Sequence, residues 1–356
     1  MVVHADDTLK PEVMQMWKTC FGDSDEFIEM YFRSKYSDEN TLVKIVDEKA
    51  VASLQMIPYE MTFGDNRIPI VYVAGACTLP DKRKKGYMEE LFSVAFCEMK
   101  KRNVLLSILV PQDNKLVDFY EKLGYTEMFD IRKNSIALPE NSDIFGFHIE
   151  KAKMSDVPAV CEYCERISES RDLTVLKTLD DWEVVFKDYF LMNGKIYLTY
   201  LGNRLAGMCF TNKEDNELHI RNLLTESELA KEAILSFISF DNSVSRAVLI
   251  TNEDGPETEP LGMARIIDVE KILSLYAEKY AHFNFSVNVT DKYAEWNNNT
   301  YHIISGKYIG CSEIIRPDFR MPINLLTQLL LGYRINDLPD VYRIFPIENG
   351  SMNLIL

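Results

Sequence analysis

Apolar residues recur along the chain with two periods, and each change of period marks a change of element. Val13, Met14, Trp17 and Phe21 share one helical stripe, so the spacing predicts a helix from Pro11 to Phe21 with Pro11 in its first turn. Gly22-Asp23-Ser24-Asp25 breaks and recaps the chain, and Phe27, Met30, Tyr31 and Phe32 resume helical spacing. From Thr41 the texture is that of strands. TLVKIV, a DEKA turn and VASLQMIPYEMTF read as a hairpin, Gly64-Asp65-Asn66 is a further turn, and IPIVYVAGACTLP reads as a strand buried on both faces. Met88, Leu91, Phe92, Ala95, Phe96 and Met99 then define a strongly amphipathic helix that ends on Lys100-Lys101-Arg102. NVLLSILVP is a buried strand. DNKLVDFYEKLGY is a helix with Leu116, Phe119, Tyr120 and Leu123 on one face and Gly124 as its stop. TEMFDIRKNSIAL is a closing strand.

Leu138 to Ser142 reads as a linker, and residues 147–250 repeat a similar order. A helix is predicted near Asp156–Ile167, followed by the hairpin KIYLTYLGN and RLAGMCFTN, the strand ELHIRNLL and the helix ESELAKEAILSFIS. The polar stretch Thr251 to Pro256 marks a third boundary. Beyond it LGMARIIDVEKILSLYAEKY, FNFSVNVTD and YHIISGKYIG give an α+β segment.

Composition narrows the classes. At 356 residues the chain is long enough for two or three domains, and 47% hydrophobic with 26% charged residues is ordinary globular usage. Lys and Arg number 39 against 55 Asp and Glu, a net charge of -16. That disfavours a nucleic-acid partner, which needs a basic surface, and suits solubility or a cationic partner. The opening MVVHADDTLKPEV carries no signal-peptide pattern and no apolar run approaches the ~20 residues of a membrane span. Seven cysteines at irregular positions, with Cys161-Glu-Tyr-Cys164 as a lone CxxC, read as reduced thiols of a cytoplasmic protein. The five histidines make no HxxxH or HxH pattern, so no metal is expected.

One segment resists a purely structural reading. Lys82-Arg83-Lys84-Lys85-Gly86 stands at the start of the amphipathic helix, where each cation opposes the helix dipole at a cost of about 0.3–1 kcal/mol. Free N–H groups at a helix start, a glycine and flanking cations make an anion cradle. Neither GxGxxG nor GxxxxGK[ST] is present, which sets the common nucleotide fingerprints aside. The segment VYVAGACTLPDKRKKGYMEELF resembles the strand and [RQ]xxGx[GA] turn of the GNAT superfamily of acyl-CoA-dependent N-acetyltransferases, with Arg83, Lys84, Lys85, Gly86, Tyr87 and Met88 in the turn. LVDFYEKLGY resembles a second stretch of that superfamily, and Asp113 stands where many members carry Asn. The whole layout, including LGMARIIDVEKIL, FNFSVNVTD with Trp296, and the closing SMNLIL, is similar to the Eis (enhanced intracellular survival) type.

That resemblance implies an α+β protein: a catalytic GNAT domain over 1–145, a second GNAT-like domain over 146–252, and a sterol-carrier-like domain over 253–356. The second GNAT-like domain has Thr225-Glu226-Ser227-Glu228 where the basic turn would be. Two carboxylates there would repel a pyrophosphate, so one CoA site per chain is expected. The resemblance implies acetyl-CoA as co-substrate, with main-chain groups of Gly75, Ala76 and Cys77 along its pantetheine arm and Tyr120 as general acid. It also implies the main-chain carboxylate of Leu356 as general base and a homo-oligomer. The acceptor would be a primary amine, an aminoglycoside-like polycation or a lysine, with direct transfer rather than an acyl-enzyme on Cys77. A non-catalytic protein binding CoA or an apolar ligand is the alternative reading.

Overall fold

The computed structural model describes residues 1–140, 146–169, 171–252, 257–311 and 316–347. After strand β1 (Val2–His4), helix α1 (Lys10–Phe21) opens on Pro11 and stops at Gly22, whose φ of 76° suits a residue without a Cβ. Helix α2 (Asp25–Ser34) begins where the Ser24 hydroxyl accepts the Phe27 N–H at 3.1 Å. Strands β2 (Thr41–Val46) and β3 (Lys49–Phe63) are joined by Asp47 and Glu48, both at positive φ, the turn geometry that matches twisted strands. Strand β4 (Asn66–Thr78) pairs antiparallel with β3 along its length, and α3 (Tyr87–Lys101) buries Leu91, Phe92, Ala95, Phe96 and Met99. Strand β5 (Leu106–Leu109) runs parallel to β4. The helix expected over Asp113–Tyr125 is shorter. Asp113 Oδ1 takes the Lys115 N–H at 2.8 Å and forms a tight 3₁₀ turn, and α4 covers only Val117–Lys122.

The middle of the chain forms β6 (Thr126–Ala137), β7 (Phe147–Lys151), α5 (Val157–Ser168), β8 (Val175–Leu176), α6 (Leu179–Leu191), β9 (Lys195–Leu201), β10 (Arg204–Glu214), β11 (Glu217–Thr225), α7 (Glu228–Asn242), β12 (Arg246–Thr251) and β13 (Thr258–Ile266). Helix α6 was not anticipated from apolar spacing. Its start is written in a reciprocal cap: Asp181 N–H donates to Thr178 Oγ1 at 3.2 Å and Thr178 N–H to Asp181 Oδ2 at 2.7 Å. Leu138, read as the first linker residue, instead is buried and its N–H bonds Ser245 O at 2.9 Å. The last part forms α8 (Val269–Lys279), β14 (Phe285–Thr290), β15 (Thr300–Ile304), β16 (Lys307–Cys311), β17 (Phe319–Pro322) and α9 (Ile323–Leu330).

The chain packs as two compact units. The first holds the described residues of 1–129, 172–175 and 261–350. Its main sheet has the order β1-β2-β3-β4-β5-β13, with β13 antiparallel to β5 from Met263↔Leu109 to Ile266↔Leu106. One face packs against α1 and α2 through Val13, Trp17, Tyr31, Phe32 and Val43. The other packs against α3 and α4 through Leu54, Val73, Phe92, Phe96 and Tyr120. Each fully buried Phe or Leu of this kind contributes about 1.5–3 kcal/mol, so the two faces fix the sheet between them. A four-stranded sheet, β16-β15-β14-β17, belongs to the same unit, and Phe283, Phe285 and Phe345 form an aromatic knot there with centroids 5.2–5.3 Å apart.

The second unit holds the described residues of 130–171 and 176–260. Its sheet order is β6-β12-β11-β10-β9-β7. Helices α5 and α6 cover one face through Tyr163, Trp182, Phe186 and Phe210, and α7 covers the other through Ile234, Ile238, Tyr197 and Ile220. It repeats the layering of the first unit: a helix pair, a sheet with one parallel pair (β11 with β12), and a helix behind. Cys161 and Cys164 lie together on α5. No helix among the described residues is long and apolar enough to cross a membrane.

Candidate active site

Strand β4 changes register at Gly75. Gln55 faces Ala74 and Ser53 faces Cys77, so Gly75 and Ala76 together oppose Leu54 alone. This is a bulge with its glycine at φ 57°. A Cβ on Gly75 would sit 2.5 Å from the Trp17 ring, so the close approach of α1 to the bulge excludes any other residue. Strand β5 ends at Leu109. Its ladder with β4 runs from Ile70↔Leu106 to Tyr72↔Ile108, and beyond Tyr72 strand β4 has no ladder partner on that side among the described residues. Residues 73 to 78 thus offer main-chain groups along an open edge. Gly75, Ala76 and Cys77 lie within it.

That edge leads directly into the basic loop. Arg83 Nε donates to Thr78 O at 3.1 Å, pinning the loop to the strand end. Arg83, Lys84, Lys85 and Gly86 are all exposed, and Lys84 and Lys85 have no ion pair among the described residues. Gly86 takes φ 78° as the residue before α3, and no side chain caps the helix. The first bond of the helix is Glu90 N–H to Gly86 O at 3.0 Å, which leaves the N–H groups of Tyr87, Met88 and Glu89 without intrahelical acceptors. A Cβ at Gly86 would meet nothing within 4 Å. The first turn also carries Glu89 and Glu90. Lys44 holds Glu90 in an ion pair at 2.6 Å, which offsets its charge.

Tyr120 is buried in the core beside α3. It lies on α4 in the apolar cluster that contains Val73, and Ala76, Tyr87 and Met88 pack against the same cluster. Its ring meets Phe92 edge-on at 5.9 Å, and burial, with Tyr72 nearby, pushes its pKa up to about 12. Tyr125, a second phenol near Tyr120, shares a 2.6 Å hydrogen bond with Ser107 Oγ in the core. Gly124 ends the α4 turn at φ 87°, and a Cβ there would lie 2.5 Å from Arg265 Nη1. Arg265 donates to Leu123 O at that helix end and its guanidinium lies 3.9 Å from the Phe96 ring centroid. Leu356 lies outside the described residues.

Sequence reading brought the loop and Tyr120 forward but missed Trp17, Gln55, Tyr72 and Arg265. Trp17 was read as one apolar stripe residue; nothing in the spacing shows that its ring sets the bulge. Gln55 is buried, accepts the Tyr31 hydroxyl at 3.2 Å and keeps its Nε2 unpaired beside Gly75. Tyr72 is half-buried at the last β4–β5 pair, with its pKa raised to about 12 by burial.

The second unit supplies an internal comparison. Strand β11 also bulges, where Phe210 faces Arg221 and Met208 faces Leu224, and Asn222 there takes φ 48°. The following turn differs. Glu226 is held by Arg166 at 2.8 Å and by Arg204 at 2.6 Å, and Ser227 Oγ accepts the Ala230 N–H of α7 at 3.2 Å. The helix start that stands open in α3 is occupied in α7 by its own chain.

Residues 2–128 match the family model described as an acetyltransferase (GNAT) domain, and residues 269–344 match the sterol carrier protein domain. The chain therefore carries a GNAT acetyltransferase domain in its N-terminal third and a sterol carrier protein domain near its end. Solved structures are similar over the whole length. A GCN5-related N-acetyltransferase from Anabaena variabilis is 15% identical with TM-score 0.80, covering 99% of this chain and 98% of its own. One from Kribbella flavida is 16% identical with TM-score 0.80, covering 100% and 98%. Eis1 from Mycobacterium abscessus is 13% identical with TM-score 0.76, covering 99% and 100%. The whole-chain fold is thus similar to that of Eis1. No curated protein matches the chain.

Proposed function

We propose that the first unit transfers an acetyl group from acetyl-CoA directly to a primary amine. The observation that carries the reading is the continuity of the β4 edge with an uncapped helix start: open main-chain groups after Tyr72, then the bulge at Gly75, then the Arg83–Gly86 loop. The edge suits an extended pantetheine chain, which pairs with main-chain groups as an added strand would. The loop suits a pyrophosphate. Exposed Lys84 and Lys85 supply charge, the first-turn N–H groups supply donors, and open space at Gly86 admits the phosphate.

In this reading Tyr120 holds the proton that the departing thiolate needs. A CoA-like thiol has a pKa of about 8.5, so a phenol held protonated at neutral pH can hand over its proton as the thiolate leaves. Tyr125 is committed to Ser107 and serves the core. The division into a catalytic 1–145, a GNAT-like 146–252 and a sterol-carrier-like 253–356 remains part of the same proposal, with one CoA site per chain. The Glu226 ion pairs and the Ser227 cap support the absence of a second site. An acidic chain of net charge -16 favours a cationic acceptor such as an aminoglycoside-like amine or a lysine. The test is thiol release from acetyl-CoA against a panel of primary amines. Amine-dependent release supports the reading; a protein that binds acetyl-CoA by calorimetry yet releases no thiol with any amine refutes it in favour of a binding protein.

A further inference from the structure

The end of α1 and the end of β4 bring two thiols together beside the basic loop. Cys20 is half-exposed on the last turn of α1, and its Sγ donates to Thr78 O at 3.5 Å. Arg83 Nε donates to that same carbonyl at 3.1 Å, so the sulfur and the guanidinium converge on one oxygen. Cys77 is buried, its Sγ lies 3.6 Å from Ser53 Oγ, it directly precedes the Thr78 whose carbonyl Cys20 reaches, and Cys20 packs against the apolar cluster that contains it. We propose that Cys20 and Cys77 are an oxidation site: Cys20 is the peroxide-reactive sulfur and Cys77 the partner that closes a disulfide between α1 and β4.

The local chemistry separates the two roles. A hydrogen bond from Cys77 and the charge of Arg83 favour the Cys20 thiolate and lower its pKa, while Cys77 is held in its thiol form by the same contact and by burial. Among the described side chains the other thiols lack this arrangement. Cys161 is pushed up by burial and by Glu165 and Asp181, and Cys164 and Cys209 are pushed up by burial. Cys97 is exposed, which makes it the natural control for access. The Cys20 thiolate attacks one oxygen of hydrogen peroxide. The O–O bond breaks, Cys20 becomes a sulfenic acid and hydroxide leaves, to be neutralised by the proton Cys20 had released. The Cys77 sulfur then attacks the sulfenic sulfur, its proton joins the departing hydroxyl as water, and the S–S bond forms. Two thiols and one peroxide give one disulfide and two waters.

The chemistry needs no assumption about acyl transfer, so it fails or stands separately from the proposed activity. The experiment treats the full chain with substoichiometric hydrogen peroxide near pH 7 and maps peptides under non-reducing conditions. The expected result is a Cys20–Cys77 linked peptide that appears before Cys97 is modified and disappears with dithiothreitol. Cys20→Ser should remove the link, and Arg83→Ala should slow its formation about tenfold while leaving Cys97 oxidation unchanged. Oxidation led by Cys97, or a Cys20 sulfinic acid with Cys77 still free, overturns the proposal, as does an Arg83→Ala protein that links at the parent rate.

Discussion

Arg265 and Asp291 meet through two bonds of 2.8 and 2.7 Å with neither side chain exposed to solvent. Arg265 comes from β13 and reaches Leu123 O at the end of α4, the helix that carries Tyr120. Asp291 follows β14 and also accepts the N–H groups of Tyr293 and Ala294, each at 3.1 Å, and Asn297 Nδ2 at 3.0 Å. A charge pair sealed in this way ties the sterol-carrier region to the end of the helix beneath the candidate acid.

Asp291→Asn should therefore be among the most damaging single changes. Removing one member of a buried pair leaves the other charge uncompensated and costs about 3–5 kcal/mol. Urea unfolding of the variant should show a midpoint well below the parent's; an unchanged midpoint would mean that water reaches Arg265.

The two site glycines should fail differently. Gly75→Ala drives a Cβ into the Trp17 ring and strains a positive-φ backbone, so a loss of about 1–3 kcal/mol is expected from overpacking, seen as a lower melting temperature. Gly86→Glu faces open space but takes φ 78°, so it should lose only about 1 kcal/mol to backbone strain while losing acetyl-CoA binding in calorimetry. A folded Gly86→Glu protein with parental affinity would remove the loop from the cofactor site.

Tyr120→Phe should keep acetyl-CoA affinity and lose about 10²–10⁴ in turnover where chemistry limits the rate. The pH profile carries a second check. Burial raises the Tyr120 pKa to about 12, so the proton-donating form persists at every pH below that value. The profile should rise as the acceptor amine loses its proton and show no fall between pH 8 and about 10. A falling limb centred near pH 8 or 9 would point to another acid.

Asp241 makes an acid-sensitive tie in the second unit. Burial pushes its pKa up, but hydrogen bonds from Lys151, Lys195 and Tyr197 outweigh this and hold it at about 2. The folded value lies below the unfolded one, so the contribution to stability is present above about pH 4 and is lost as pH falls through 2. Asp241→Asn should flatten the decline of stability over that interval, measured by denaturant unfolding at a series of pH values. A parent-like slope would assign the decline to other carboxylates.

Local periodicity made much of this molecule legible. The stripe of α3 and the hairpin alternation of β2 and β3 are decided within a few residues, so the sequence pattern and the structure agree there. The partner of β5 was not legible. LGMARI reads as a strand wherever it pairs, and the chain must return from Met263 to reach Leu109. Arg265 was missed for a related reason: a basic residue in an apolar strand looks like an edge position until Asp291 is placed against it. The basic loop was visible because its charge runs against the helix dipole. The bulge was not, because a bulge is a relation between two strands and Gly75 alone reads as a weak point in one. Tyr120 fell on an apolar stripe, which a core residue and a buried acid would satisfy equally.

The return of β13 has a consequence during synthesis. While the polypeptide is emerging, the catalytic-type domain has β5 as a bare sheet margin with unsatisfied donors and acceptors, and the strand that covers it is translated only after the whole second unit. At roughly 5–20 residues per second the nascent sheet waits about 8–30 s for its last strand. The intervening unit folds from nearly contiguous chain and can form during that wait, so until β13 arrives the margin of β5 is the part of the sheet open to pairing with another chain.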